Sequence, residues 1–269
     1  MTDVNNNAAP LPLKPARLRG MRTILALLMR EMSTTYGRSI IGYLWAILEP
    51  AAGIMLLTFV FSLALRSPPI GTNFAIFYAS GMLPFMAWMS IHQRVATAIR
   101  FSKPLLFYPG VTYLDAIVAR VLLNAITQLM VFLVVMSGII VFYDLDMILD
   151  IPAIALGLLM TLALATGMGT LNCYLMWVSP TWEKIWGVLT RPLVLLSCVL
   201  FTFDTVPQPY QNWLWWNPLV HLVGQTRQGV FATYDATYVS PLYVFGISLI
   251  TFCLGLIFLN SHYRDMIND

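Results

Sequence analysis

Charge is the scarcest commodity in this sequence. Only 15 Lys or Arg and 12 Asp or Glu are spread over 269 residues, 10 % in all. An ordinary soluble domain carries about 25 %. Hydrophobic residues reach 59 % and mean hydropathy is +0.76. A soluble fold of this size could not clothe its surface with so few charges, so a soluble enzyme, a nucleic-acid binder and a disordered chain are excluded. Alternating apolar and polar residues, the mark of an outer-membrane barrel, are lacking as well; the apolar residues come in long runs, which is the pattern of membrane helices.

Cysteine is nearly as scarce. Cys173, Cys198 and Cys253 each sit in an apolar stretch, the count is odd, and no CxxC pair occurs, so neither a disulfide framework nor a thiolate metal site is expected. No GxxxxGK[ST] loop, HExxH or GxSxG is present. His92, His221 and His262 fall far apart. The chain is therefore expected to bind no nucleotide through a phosphate loop and no metal. The aspartates Asp144, Asp146 and Asp150 read as a solvated external loop rather than a catalytic cluster.

Residues 1–16, MTDVNNNAAPLPLKPA, are polar and aperiodic and read as a disordered tail, without the basic start and apolar core of a cleavable signal peptide. Over 17–38 the pattern changes. Leu18, Met21, Ile24, Leu25, Leu28 and Met32 recur at helical spacing among Arg17, Arg19, Arg22 and Arg30. That predicts an amphipathic helix lying in the membrane interface, with the first turns of a long membrane helix as the alternative.

Apolar segments follow near 40–65, 73–96, 114–142, 151–178, 187–203 and 239–260. Most exceed the roughly 20 residues that cross a bilayer. Pro192 interrupts the short fifth one. The stretch between the last two is broken by Pro207, Pro209, Asn217 and Pro218, which suits helices that enter the membrane partway and return. The fold expected is an all-α polytopic membrane protein: six transmembrane helices, an N-terminal interfacial amphipathic helix, and re-entrant external helices between spans 5 and 6. Six crossings place both termini on one side. All but two of the basic residues, Arg66 and Arg227, fall on that side, which the positive-inside rule makes cytoplasmic.

Single residues carry further expectations. Glu49 lies beside Pro50 inside an apolar run. A charge at the bilayer centre costs roughly 2.5–3.5 kcal/mol, so Glu49 faces protein, a cavity or the cytoplasmic interface, either as a gate or as part of a capped kink. Small residues at Ala153/Gly157, Ala163/Gly167 and Ala165/Gly169 allow close helix approach, within the chain or at a dimer seam. Most of the eight tryptophans suit an interfacial belt. Trp213, Trp215 and Trp216 crowd into the broken segment instead, where aromatic faces can pack on sugar rings.

Three stretches carry a resemblance: GRSIIGYLWAILEP (37–50), RFSKPLLFYPGVTYLDAIVAR (100–120) and WNPLVHLVGQTRQGV (216–230). With them the chain resembles the membrane subunit of type-2 ABC exporters, in particular the capsular-polysaccharide export permeases, which are related to O-antigen permeases. The resemblance implies that 39–269 form a single transmembrane permease domain. It further implies a homodimer with a pore between the two copies, two copies of a separate ATP-binding subunit that holds the ATP and Mg, and a lipid-anchored polysaccharide as cargo. A periplasmic export adaptor, membrane lipids and the bacterial inner membrane complete the implied setting, with no nucleic acid. The substrate path it suggests contains Trp45, Glu49, Trp213, Trp215, Trp216, Asn217, His221 and Arg227. The ATPase-docking segment contains Arg100, Lys103, Phe107, Tyr108 and Tyr113. Gly224 departs from the pattern, since an acidic residue is expected there as a partner for Arg227. The competing functions are export of another polymer such as O-antigen or teichoic acid, and a membrane glycosyl- or acyltransferase.

Overall fold

The computed structural model describes residues 16–35, 40–107 and 110–268. Most of the expected tail, the 36–38 end of the interfacial segment, and Tyr108 lie outside the described residues. Among the described residues there are helices and no strands.

The elements run in the order α1 (Ala16–Thr35), α2 (Ile40–Ala64), α3 (Phe74–Ala96), α4 (Ala98–Leu106), α5 (Tyr113–Phe142), α6 (Ile151–Val178), α7 (Pro180–Thr190), α8 (Leu193–Leu196), α9 (Tyr210–Trp215), α10 (Pro218–Val230) and α11 (Pro241–Asn268). Their starts are written in the sequence as side-chain caps. Asn73 accepts from the Ala75 amide at 2.8 Å. Thr112 and Asp115 close a capping box on α5, and Asp150 accepts from Ala153 with a proline in the first turn of α6.

Five described helical segments are long and apolar enough to cross a membrane: Leu44–Ala64, Phe74–Leu106, Tyr113–Phe142, Ile151–Val178 and Pro241–Tyr263. The fifth expected span, 187–203, is not among them. There α7 ends at Thr190, Pro192 begins a four-residue helix, and the chain then turns through Cys198 at φ 57°. Pro192 cannot supply the amide that would continue the ladder, so an apolar run becomes two short helices and a turn.

The direction of the chain is legible from the packing of α6. A β-carbon placed on Gly255 lies 2.7 Å from the Leu171 nitrogen, Gly167 abuts Ser248, and Tyr174 stacks on Phe258. Contacts advance in the same sense on both helices, so α6 and α11 are parallel. The segment between them must return from one end of the bundle to the other, and it does so through the broken α7–α8 stretch and α10. Helix α10 is antiparallel to α6: Thr226 lies against Gly157, and the Gly229 carbonyl accepts from the Asp150 amide at 2.9 Å.

Helix α6 is the hub. Gly157 admits α10, Gly167 admits α11, and Gly169 admits Val95 of α3. The small residues thus serve packing within the chain. Helices α1 and α4, the start of α5 and the end of α11 gather at one end of the bundle, where Met266 packs into the same core as Ile99. The ends of α2 and α10 and the start of α6 occupy the other. Phe74–Leu106 is the most buried of the five segments and Leu44–Ala64 the least, so α2 is the outermost of the five.

Candidate functional site

Two regions carry chemistry, one at each side of the bundle's midpoint. The first is the hairpin formed by 197–230. Asn217 caps α10 by accepting from the Leu219 amide at 3.1 Å, and its Nδ2 donates to the Leu196 carbonyl at 2.9 Å. One side chain therefore starts α10 and ties it to α8. Pro218 occupies the first turn, where its missing amide costs nothing.

His221 is fully buried. Its Nδ1 accepts from the Ser240 amide at 3.1 Å, and its Nε2 lies 2.8 Å from the Trp215 carbonyl. Those partners assign the proton to Nε2. Arg227 is 1 % exposed. Its Nη1 donates to the carbonyls of Cys198 (2.5 Å) and Phe201 (2.8 Å), its Nη2 to that of Val199 (2.5 Å), and its face lies 4.4 Å from the Phe77 ring. The expected acidic partner at 224 is thereby replaced by backbone carbonyls. Gly224 itself faces the Tyr238 ring, whose Cζ lies 2.9 Å from where a β-carbon would stand.

The three clustered tryptophans part company. Trp215 turns inward, donating from Nε1 to the Tyr238 carbonyl at 3.0 Å and packing on His221 and Tyr243. Trp213 and Trp216 stay 79 % and 68 % exposed beside exposed Tyr210. Tyr243 braces the corner by donating to the Trp216 carbonyl at 2.7 Å. The hairpin thus brings Trp215, Asn217, His221 and Arg227 together as its frame and leaves Trp213 and Trp216 on its surface. Trp45 and Glu49 stand apart, both exposed on α2. Because Gly53 lies against Met82 and Phe61 against Tyr78, Glu49 stands level with the middle of α3.

The second region is the end bearing α4. Arg100 forms a two-pronged pair with Glu183 of α7, Nη1 to Oε2 at 3.0 Å and Nη2 to Oε1 at 3.1 Å. It is already engaged within the chain, while Lys103 is half-buried and Phe107 exposed. Tyr113 donates to Asn260 at 3.4 Å and lies on Tyr263, closing the start of α5 against α11. The Arg100 hydrogen bonds hold the Glu183 carboxyl below the usual carboxylate range. A depressed carboxylate contributes its stability above its unfolded pKa and loses it as pH falls through the folded value. The α4–α7 spacing, read by a pair of spin labels, is therefore expected to hold from neutral pH down into the usual carboxylate range and to loosen only below it. The stability involved is small, about 0.2–1 kcal/mol, because the pair is exposed.

Sequence reasoning missed the partner of this region. Glu31 of α1 and Arg120 of α5, each 3 % exposed, meet at 3.1 Å. Burial pushes the Glu31 carboxyl up from its usual value, while Arg120, Arg94 and Arg30 pull it back. The signal was present: Arg120 falls inside the apolar segment 114–142, where an unpaired cation is costly. Among the described residues no group of three or more His, Cys, Asp or Glu could hold a metal ion.

Residues 22–231 match the family model described as ABC-2 type transporter. The chain is 30 % identical over 247 residues to the polysialic acid transport protein KpsM of Escherichia coli, covering 92 % of this chain and 96 % of that one. It is 32 % identical over 239 residues to the capsule polysaccharide export inner-membrane protein CtrC of Neisseria meningitidis serogroup B, covering 87 % and 89 %. At 25 % identity over 244 residues it is similar to the O-antigen export system permease protein RfbA of Klebsiella pneumoniae, covering 87 % and 90 %.

Proposed function

We infer the function from one premise: the chain belongs to the ABC-2 type transporter family. It is the multi-pass, inner-membrane transport subunit of a type-2 ABC exporter, and the cargo we assign is capsular, lipid-linked polysaccharide. The observation that carries this is likeness to capsule-export permeases along nearly the whole of both chains. Two copies form the pore, and two separate ATPase subunits bind ATP with Mg and supply the energy. The end bearing α1, α4 and the end of α11 is cytoplasmic, with both termini there; a periplasmic adaptor meets the other end.

Glu49 supports the two-copy reading. It is an exposed carboxylate within the first two turns of Leu44–Ala64, the least covered of the five long segments, and contact with lipid would carry part of the roughly 2.5–3.5 kcal/mol that a charge costs at the bilayer centre. A second copy or a water-filled path between copies removes that cost. The exposed aromatics Trp213 and Trp216 offer flat faces to sugar rings along such a path.

Purification from the native membrane followed by mass spectrometry tests the assignment, with an ATP-binding subunit expected alongside this chain. Cells lacking the chain are expected to retain capsular polysaccharide inside; retention of a different polymer would reassign the cargo. For docking, Lys103→Glu combined with Phe107→Ala is the clean variant, since Arg100 also serves Glu183. It is expected to lower ATPase recovery about tenfold, the equivalent of roughly 1.4 kcal/mol, with insertion unchanged.

A further inference from the structure

The guanidinium of Arg120 touches four segments from a fifth. Its Nη1 donates to the Arg94 carbonyl in the last turn of α3 at 2.6 Å and to Thr97 Oγ1 at the α3–α4 elbow at 2.7 Å. Its Nε faces Glu31 of α1 at 3.1 Å. Its flat face covers the Phe101 ring of α4 at 4.2 Å, and Arg30 of α1 covers the same ring at 5.4 Å. Helix α5, which carries Arg120, is one of the long apolar segments. The elbow, the docking helix α4 and the interfacial helix α1 are thus fastened to one planar cation, a geometry that a lysine's point charge does not reproduce.

The two fastenings of α4 differ in kind. On one side it holds α7 through the exposed Arg100–Glu183 fork; on the other its Phe101 ring lies under both Arg120 of α5 and Arg30 of α1, beside the buried Arg120–Glu31 pair. Exposed ion pairs are weak and screened, whereas separating a buried pair strands a charge away from water. A push on α4 therefore opens the fork first and bears through Phe101 on the Arg120, Arg30 and Glu31 side chains. Glu31 lies near the end of α1, so about 20 Å of helix extends beyond this attachment. That length presents Met21, Leu25 and Met29 outward in one stripe.

We propose that Arg120, paired with Glu31, is the joint through which movement of the docking helix α4 is passed to α1, which makes both positioning residues for coupled export. This rests on the exporter reading above. Coupling between sites requires an element whose arrangement both ends bias, and the joint supplies the physical link between them.

The test uses the complete complex, the permease with its ATPase, in nanodiscs and in a Cys253→Ser background. Labels at Met21→Cys on α1 and at Pro104→Cys on α4 are each measured against a reference at Phe142→Cys, with and without ATP. In the otherwise unaltered protein both distances are expected to change with ATP. In Glu31→Gln the α4 change and ATPase recovery are expected to persist, the α1 change to fall at least twofold, and export to fall about tenfold. Phe101→Leu, which keeps the ion pair and removes the shared ring, is expected to weaken the α1 change in the same sense, and serves if Glu31→Gln does not assemble. A purely structural pair would lower yield and stability without separating the two distance changes. The joint is overturned if α1 moves by the full amount in both variants, if the α1 and α4 changes disappear together, or if neither variant assembles with the ATPase. Failure of the unaltered chain to bring down any ATPase would instead overturn the exporter reading.

Discussion

Arg227→Leu is expected to collapse the α8–α10 hairpin, cost about 3–5 kcal/mol of stability and abolish export. The residue is a buried cation whose partners among the described residues are backbone carbonyls, those of Cys198, Val199 and Phe201. These carbonyls belong to a turn that no regular ladder satisfies, and Cys198 holds a left-handed φ of 57° that a β-carbon disfavours. Leucine fills part of the space but leaves the acceptors unpaired, and each buried acceptor without a donor costs about 1–3 kcal/mol. Lysine keeps the charge but offers one compact ammonium in place of a fork, so Arg227→Lys is expected to recover less than half of the loss. The surroundings cannot adjust: a β-carbon placed on Gly81 falls 2.7 Å from Arg227 Nη2 and 3.1 Å from the Val199 carbonyl. Thermal unfolding in detergent checks the stability change, and surface polysaccharide checks export. Arg22→Leu, on the exposed side of α1, is the control and is expected to move stability by less than about 0.5 kcal/mol.

The carbonyl partners of Arg227 are not legible in the sequence. Its sequence neighbours say that it sits in a broken apolar stretch; they do not say that its partners lie in a turn before α9. The long spans were legible because apolar length and capping residues agree. Thus 151–178 coincides with α6, and 73–96 departs from α3 by one residue. The segment 187–203 was not, since summed apolarity cannot distinguish one helix from two short helices and a turn, although Pro192 marks the break. The inward and outward tryptophans follow helical spacing: Trp213 and Trp216, three apart, share the exposed face, while Trp215 between them turns to the core. The Glu31–Arg120 pair is different in kind. Glu31 lies in the amphipathic segment 17–38 and Arg120 in the apolar segment 114–142, and only the fold brings α1 onto α5.

The motif residues of the hairpin serve its backbone. Asn217, His221 and Arg227 entered as substrate-path positions, yet each is committed to backbone: a cap, a bridge from Trp215 to Ser240, and a tie to the turn. A re-entrant hairpin in lipid must satisfy every exposed amide and carbonyl from within the protein. Those residue types supply donors and acceptors where the helix ladder stops, which frees Trp213 and Trp216 to face outward.

Gly255→Leu is expected to be the most damaging substitution on α11, lowering stability by about 1–3 kcal/mol or more and reducing export with it. Between membrane helices the apolar lipid removes the usual hydrophobic drive, so close packing must hold α6 to α11. The seam is locked from both sides. Gly255 of α11 faces the backbone of Thr170 and Leu171, with a β-carbon falling 2.8 and 2.7 Å from their carbonyl carbon and nitrogen. Gly167 of α6 faces the Ser248 carbonyl and, at 2.6 Å, Thr251 Oγ1. Backbone atoms cannot rotate aside, so leucine at either site must separate the helices. Once they are apart the second clash is already relieved, so the double variant Gly167→Leu with Gly255→Leu is expected to cost less than the sum of the two. Gly138→Leu and Gly246→Leu are the controls. Nothing lies within 4 Å of a β-carbon at either, and exchanging a helical glycine for leucine gains up to about 1 kcal/mol of propensity. Because Tyr243 at the start of α11 holds the Trp216 carbonyl, a displaced α11 also slackens the hairpin. Gly255→Leu is therefore expected to increase hydrogen exchange at 216–222 as well as along the seam, whereas the control variants leave both unchanged.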